Sequence, residues 1–273
     1  MSGTMRGASA ESQEVLVDGV NAAIDNGGDG NRIADDLFAV SRLLGEQPSL
    51  RRILTDLSRP ADDKAELARQ LLGGKVDDAS LELIAWAAKR RWAATRDLGD
   101  ALEHLGVVAV VKAADRAGEG DRLEEELFAF EQVVNDNPEL RDALSDPARS
   151  GDDKQQLLDR LLEGKVTGGT MRLARQSTTG SHRTVTVALE VYQKVAASQR
   201  NRLAALVTVA RPLDDAAQRR LADALGRQYD RPVHLNVVVD PEVLGGIRVE
   251  IGDDVIDGTV VSRLDDARRR LAG

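Results

Sequence analysis

Two stretches, "LFAVSRLLGEQPSLRRILTDLSRPADDKAELARQLLGGKV" (Leu37–Val76) and "LFAFEQVVNDNPELRDALSDPARSGDDKQQLLDRLLEGKV" (Leu127–Val166), align without a gap at an offset of 90 residues, with 18 identities in 40 positions. Upstream, Gly28 and Gly30 recur as Gly118 and Gly120, so the match is longer than the quoted segments. A period near 90 is too long for a stacked solenoid repeat, and each unit is long enough to bury its own core. The repeat is a duplicated domain.

Each copy reads as a helical bundle. Leu37, Val40, Leu43 and Leu44 share one helical face, as do Leu123, Leu127, Phe130 and Val134. Pro48 and Pro138 then punctuate the chain ahead of the short apolar-spaced segments "SLRRIL" and "ELRDAL". The two "DDK" segments read as helix starts, with Ser150 an N-cap and the aspartates suited to the positive end of the helix dipole. Gly74 and Gly164 stand where a glycine C-cap ends a helix. A further helix pair follows in each copy, within "ASLELIAWAAKRRWAATRDLGDALEHL" and "GTMRLARQSTTGSHRTVTVALEVYQKVA".

Past about Ser198 the period changes. "RLAALVTVA" (Arg202–Ala210) is β-like, and "RPLDDAAQRRLADALGRQY" runs as an amphipathic helix to Tyr229. "PVHLNVVVD" is a second strand, and "GIRVEIG" sets Ile247, Val249 and Ile251 against Arg248 and Glu250 in a half-buried alternation. "DVIDG" is a short strand or turn, and Thr259–Leu271 closes as a basic-ended helix. The expected fold is mainly α: two tandem homologous helical bundles at 1–105 and 106–198, then a small α+β domain at 199–273.

Composition limits the function. The 273 residues are 42 % hydrophobic and 30 % charged, which fits a globular chain. Aromatics are only 3 %, so the cores rest on Leu, Val, Ile and Ala. A formal net charge of −9 argues against a nucleic-acid binder, which needs a basic face. With no cysteine there is no disulfide, thiolate nucleophile or cysteine metal site, in keeping with a reducing compartment. "MSGTMRGASAES" lacks the apolar core of a secretory signal, and "VVAVV" (Val107–Val111) is far too short to span a bilayer, so no membrane insertion is expected.

No catalytic, cofactor-binding or metal-binding residue stands out. Gly245-Gly246 lacks phosphate-loop spacing and precedes a strand, whereas a phosphate cradle needs a helix N-terminus. His104, His182 and His234 are scattered, none with a carboxylate or second His at ligand spacing on its own element. The pairs Asp62-Asp63, Asp152-Asp153 and Asp214-Asp215 open helices, which explains them as caps, leaving Asp253-Asp254 apart. The basic run "KRRWAATR" (Lys89–Arg96) adjoins a core-facing stripe of Ala85, Trp86 and Ala93 and reads as a solvated or partner-facing surface.

The tail carries a pattern: Val233, Leu235, Val239-Asp240, Val243, Gly245-Gly246-Ile247, Val249-Glu250 and Gly252, then "DDVIDGTVVSRL" with Asp257-Gly258 and Arg263-Leu264. It resembles the C-terminal signature of the delta subunit of F-type ATP synthases, the family of the mitochondrial oligomycin-sensitivity-conferring protein. The second helical copy also resembles that family's helical domain, so the likeness covers about Val107 to Leu271. The resemblance implies a non-catalytic stator without cofactors, peripheral on the cytoplasmic face of the cell membrane. Its helical domain would grip N-terminal helices of alpha subunits on the alpha/beta head, and its tail the C-terminal end of the b-type stalk. Asp240, Gly245, Gly246, Gly252, Asp257 and Gly258 would be structural signature positions. The family usually has one helical domain before the tail, and this sequence has two. The rival reading is a tandem-helical adaptor outside ATP synthase.

Overall fold

The computed structural model describes residues 5–200, 203–229, 233–240, 246–251 and 254–257. The chain divides into a unit spanning Met1–Gln199 and a second spanning Arg200–Gly273.

The first unit holds eleven helices among its described residues. They are α1 (Ala8–Asp25), α2 (Gly30–Glu46), α3 (Pro48–Thr55), α4 (Ala61–Leu72), α5 (Asp78–Lys89) and α6 (Asp97–Arg116), then α7 (Gly120–Asp136), α8 (Pro138–Ser145), α9 (Gly151–Leu162), α10 (Gly168–Thr179) and α11 (Val185–Arg200). The duplication is visible in their ends. Pro48 and Pro138 each occupy the first turn of a short helix, where a missing N–H is harmless. The Ser150 hydroxyl accepts from the Asp153 N–H at 3.1 Å, capping α9 as expected. Gly74 and Gly164 both have φ of +71°, the left-handed conformation that ends a helix at little cost to glycine. Lys75 and Lys165 next to them donate from Nζ to the Leu71 and Leu161 carbonyls at 2.8 and 2.9 Å.

One feature departs from a tandem of separate bundles. The expected division between Leu105 and Gly106 falls in the middle of α6. In the repeat register α6 answers to α1 as the opening helix of the second copy, and α11 answers to α6 as the closing helix. So α6 serves both copies, packing against α1, α2, α3 and α5 on one side and α7 and α10 on the other. A helix covered all round must be apolar all round. Accordingly Leu98, Leu102, Leu105, Val107, Val108, Val110 and Val111 are all buried, and a single core runs from Leu16 to Ala196. Close approach needs Gly106: a methyl there would run into the ring of Phe38 on α2.

The second unit places β1 (Leu203–Val209), α12 (Asp215–Tyr229), β2 (Val233–Val239), β3 (Ile247–Ile251) and β4 (Asp254–Asp257) in a sheet of order β2-β1-β3-β4. β1 and β2 are parallel with α12 between them in sequence, and the remaining pairs are antiparallel. The alternation read in "GIRVEIG" is seen here. Ala205, Val207 and Val209 pair with Ile251, Val249 and Ile247, and this face packs with Leu221, Leu225 and Tyr229 of α12. "DVID" is a strand, on the sheet edge. The helix expected at Thr259–Leu271 lies outside the described residues.

Gly106→Ala is expected to destabilise the protein by about 1–3 kcal/mol in urea denaturation, as overpacking does. On an open helix the same change would stabilise by about 1 kcal/mol. Pairing it with Phe38→Leu should recover part of the loss.

Candidate interaction surfaces

The signature positions of the tail are partly described. The Asp240 N–H donates to the Val209 carbonyl at 2.8 Å, carrying the β1–β2 pairing one residue past the strand. Gly246 has a φ of +92° immediately before β3, so the chain turns there through a conformation that favours glycine. The Asp257 backbone pairs with Arg248 across the β3–β4 ladder. Gly245, Gly252 and Gly258 lie outside the described residues.

The acidic pairs behave as helix starts where they are described. Asp62, Asp63, Asp152 and Asp153 sit in first turns, and Asp214 Oδ1 accepts from the Ala217 N–H at 2.6 Å at the start of α12. The basic run resolves differently from its sequence reading. α5 stops at Lys89, and Ala93 is exposed. The buried aromatic is Trp92, whose indole N–H donates to the Ala87 carbonyl at 3.0 Å. The helix ends too early for Ala93 to share the face of Ala85.

Two polar arrangements escaped the sequence reading. One is duplicated. Asp36 on α2 accepts from the Asp77 N–H at the start of α5, at 2.9 Å, and its counterpart Glu126 on α7 accepts from Thr167 N–H at the start of α10, at 2.8 Å. Arg32 and Arg122, one turn before each acid, pair with them at 3.4 and 2.7 Å. Burial pushes the Glu126 carboxyl up, but hydrogen bonds from Thr170 and Thr167 and from Arg122 outweigh it and hold the group below its ordinary range. The acid at this register could have been found by comparing the copies, since it recurs with its arginine.

The other joins the copies. Glu103, buried on α6, accepts from the Ser181 N–H and the Tyr192 hydroxyl, both at 2.6 Å. His182 Nε2 lies 3.8 Å from the same carboxylate, and its ring meets Tyr192 edge to face. Burial first, then the Glu103 charge and hydrogen bond, push the Tyr192 phenol well up, so it stays a donor. Burial likewise raises Asp100 against the pull of Arg96. Next to Glu103 on α6, burial lowers His104 to about 4, overcoming the opposing pull of Glu103. Farther out, Arg172 of α10 pairs with Asp35 of α2 at 3.0 Å. These groups fasten the two copies around α6. Among the described residues, no group of three or more His, Asp or Glu is placed to hold a metal ion, and no helix is long and apolar enough to cross a membrane.

Val15, Leu57, Phe128 and Val133 on the helical unit, and Val255 and Ile256 on the tail's edge strand, are exposed large apolar side chains. The fold thus defines a two-unit protein, a helical body followed by a small α+β unit. The comparisons make this particular: the ATP synthase delta (OSCP) subunit family matches residues 107–271, and the chain belongs to that family. It is 53 % identical to the ATP synthase subunit delta of a Nocardioides species over 99 % of this chain and 98 % of that one. Identity is 46 % with that of Kineococcus radiotolerans (99 % and 98 % covered) and 44 % with that of Streptomyces avermitilis (98 % and 99 % covered). A chain of the Toxoplasma gondii mitochondrial ATP synthase hexamer is similar at 17 % identity, covering 61 % of this chain and 95 % of its own, with a TM-score of 0.27.

Between pH 6.5 and about 4 the unfolded chain binds a proton at His104 that the folded chain refuses, so stability falls as pH drops through that window. Because the residue keeps some solvent exposure, the effect is on the order of 1–2 kcal/mol. His104→Gln should flatten the pH dependence of urea stability by that amount and leave pH 7.5 stability nearly unchanged.

Proposed function

We propose that this chain is the delta-type stator subunit of an F-type ATP synthase, a non-catalytic part of the peripheral stalk that couples the membrane sector to the catalytic head. The observation that carries this is identity of 53 % along essentially the whole length of both chains with an ATP synthase subunit delta, so both helical copies and the tail are covered.

The finer assignments belong to the same proposal. The complex is membrane-associated, and the chain sits on the cytoplasmic face. The helical unit holds N-terminal helices of alpha subunits and rests on the alpha/beta head; one copy grips a helix and the other adds contacts. The tail holds the C-terminal end of the b-type stalk, and exposed Val255 and Ile256 on β4 support an apolar contact there. Asp240, Gly245, Gly246, Gly252, Asp257 and Gly258 serve to shape the tail's turns, not to bind a ligand. An unbroken helical core suits a part that transmits force without yielding, because nothing in it resembles a linker between the two copies.

The test is reconstitution. ATP synthase stripped of this chain should hydrolyse ATP but lose proton-driven ATP synthesis, and adding back the full chain should restore synthesis. Failure of the full chain to bind the stripped complex, or appreciable ATP turnover by the chain alone, overturns the reading. The role of the first copy is probed by replacing its exposed Val15 and Leu57 with Asp, which leaves the shared core around α6 intact. Weaker binding to the head is the expected result.

A further inference from the structure

The two copies are joined head to tail, and one face is used in the first copy and left open in the second. On the first copy, Phe38 of α2 is 8 % exposed. It stands in a cleft of about 410 Å³ with Asp35 and Arg42 of its own helix and with Met171, Arg172 and Arg175 of α10. The second copy, through α10, thus covers this face, with Arg172 paired to Asp35.

Ninety residues on, the equivalent of Phe38 is Phe128, and it is 57 % exposed. One cause is local. Gly106 gives Phe38 room to lie against α6, whereas the corresponding position of α11 is the buried Ala196. Phe128 therefore stands out beside a groove of about 470 Å³ between α7 and α11, lined by Glu124, Phe128, Glu190, Gln193, Lys194 and Ala197. Exposed Glu125 occupies the register of Asp35. Two glutamates and one lysine thus line the groove around Phe128 and Ala197, and exposed Glu125 lies one turn before Phe128 on α7.

We propose that this groove receives a cationic amphipathic helix of another subunit of the complex. That helix presents a flexible or small apolar residue to Phe128, flanked by arginine or lysine facing Glu125 and Glu190. The internal interface supplies the precedent at the aromatic, since α10 brings Met171, Arg172 and Arg175 beside Phe38 and Asp35, the residues that answer to Phe128 and Glu125. Phe128 and Glu125 repeat the face by which one copy receives the next, and Glu125 and Glu190 select the sign of the occupant's charge. The inference rests on the stator reading, which supplies the partner's source.

The experiment titrates labelled full-length chain into ATP synthase stripped of it. Phe128→Ala should weaken binding about tenfold, the scale of an aromatic anchor. Glu125→Lys with Glu190→Lys should weaken it similarly and reduce its salt sensitivity. Melting temperatures should stay at the wild-type value, because these side chains are exposed. A photoreactive phenylalanine at position 128 of the assembled complex should cross-link to a basic helix of another subunit. Unchanged affinity of the variants, or cross-links confined to this chain or to a second copy of it, overturns the inference while wild-type binding leaves the stator reading standing. Absence of wild-type binding overturns both.

Discussion

The helical unit depends on α6 having no solvent face through most of its length. A helix of this size in a single bundle would bury one stripe and leave the rest to water. Here Leu98, Leu102 and Leu105 are as fully buried as Val108 and Val110, because helices from both copies surround the same twenty residues. The duplication thus reuses a helix as the wall of two bundles. Polar atoms on such a helix must find partners from both copies. Glu103 does so by taking the Ser181 N–H and the Tyr192 hydroxyl, separated from it by 78 and 89 residues. A buried carboxylate left without those donors would be costly, so the contact also fixes the register between α6 and the loop before α11.

Sharing α6 makes the copies inequivalent despite their sequence likeness. Phe38 and Phe128 sit in the same "LFA" triplet, yet one is covered and the other stands in solvent. Two things differ: α10 of the second copy covers Phe38, and Gly106 leaves its ring space against α6 where α11 carries Ala196. Conversely, the lock at Asp36 and Glu126 stays the same in both copies, because its donors and its arginine come from within one copy. What the repeat preserves is internal to a copy, and what it changes lies where the copies meet.

That distinction also explains how much the sequence disclosed. Caps, prolines and glycine stops depend on residues a few positions apart, so Pro48, Ser150, Gly74 and Gly164 declared the helix ends correctly. Period-two alternation likewise marked Ile247, Val249 and Ile251 as the inward face of β3. The continuous course of α6 was not legible, because cutting a repeat at its period puts the break at an arbitrary point within the repeating unit. The apolar run at Val107–Val111 did carry the signal: a stretch with no polar side is a helix with no exposed side. The Glu103 cluster was hidden for a simpler reason, since its partners come from distant parts of the chain. His182 was set aside for lacking a carboxylate on its own element, and its carboxylate lies on another.

Stiffness follows from the same arrangement. Two bundles joined by a linker move on a hinge, because interfaces between domains are small and polar and the connecting backbone has few contacts. Bending this unit between its copies would instead require breaking α6, with loss of its backbone hydrogen bonds and exposure of the valines and leucines that both copies bury. In a stator, a compliant joint would store rotor torque as elastic bending before passing it on. A second copy attached by a flexible linker would add contacts without adding rigidity. Attached through a common helix, it extends the helical unit while keeping it a single body, which is the physical advantage of a fused duplication over a second, separately folded domain.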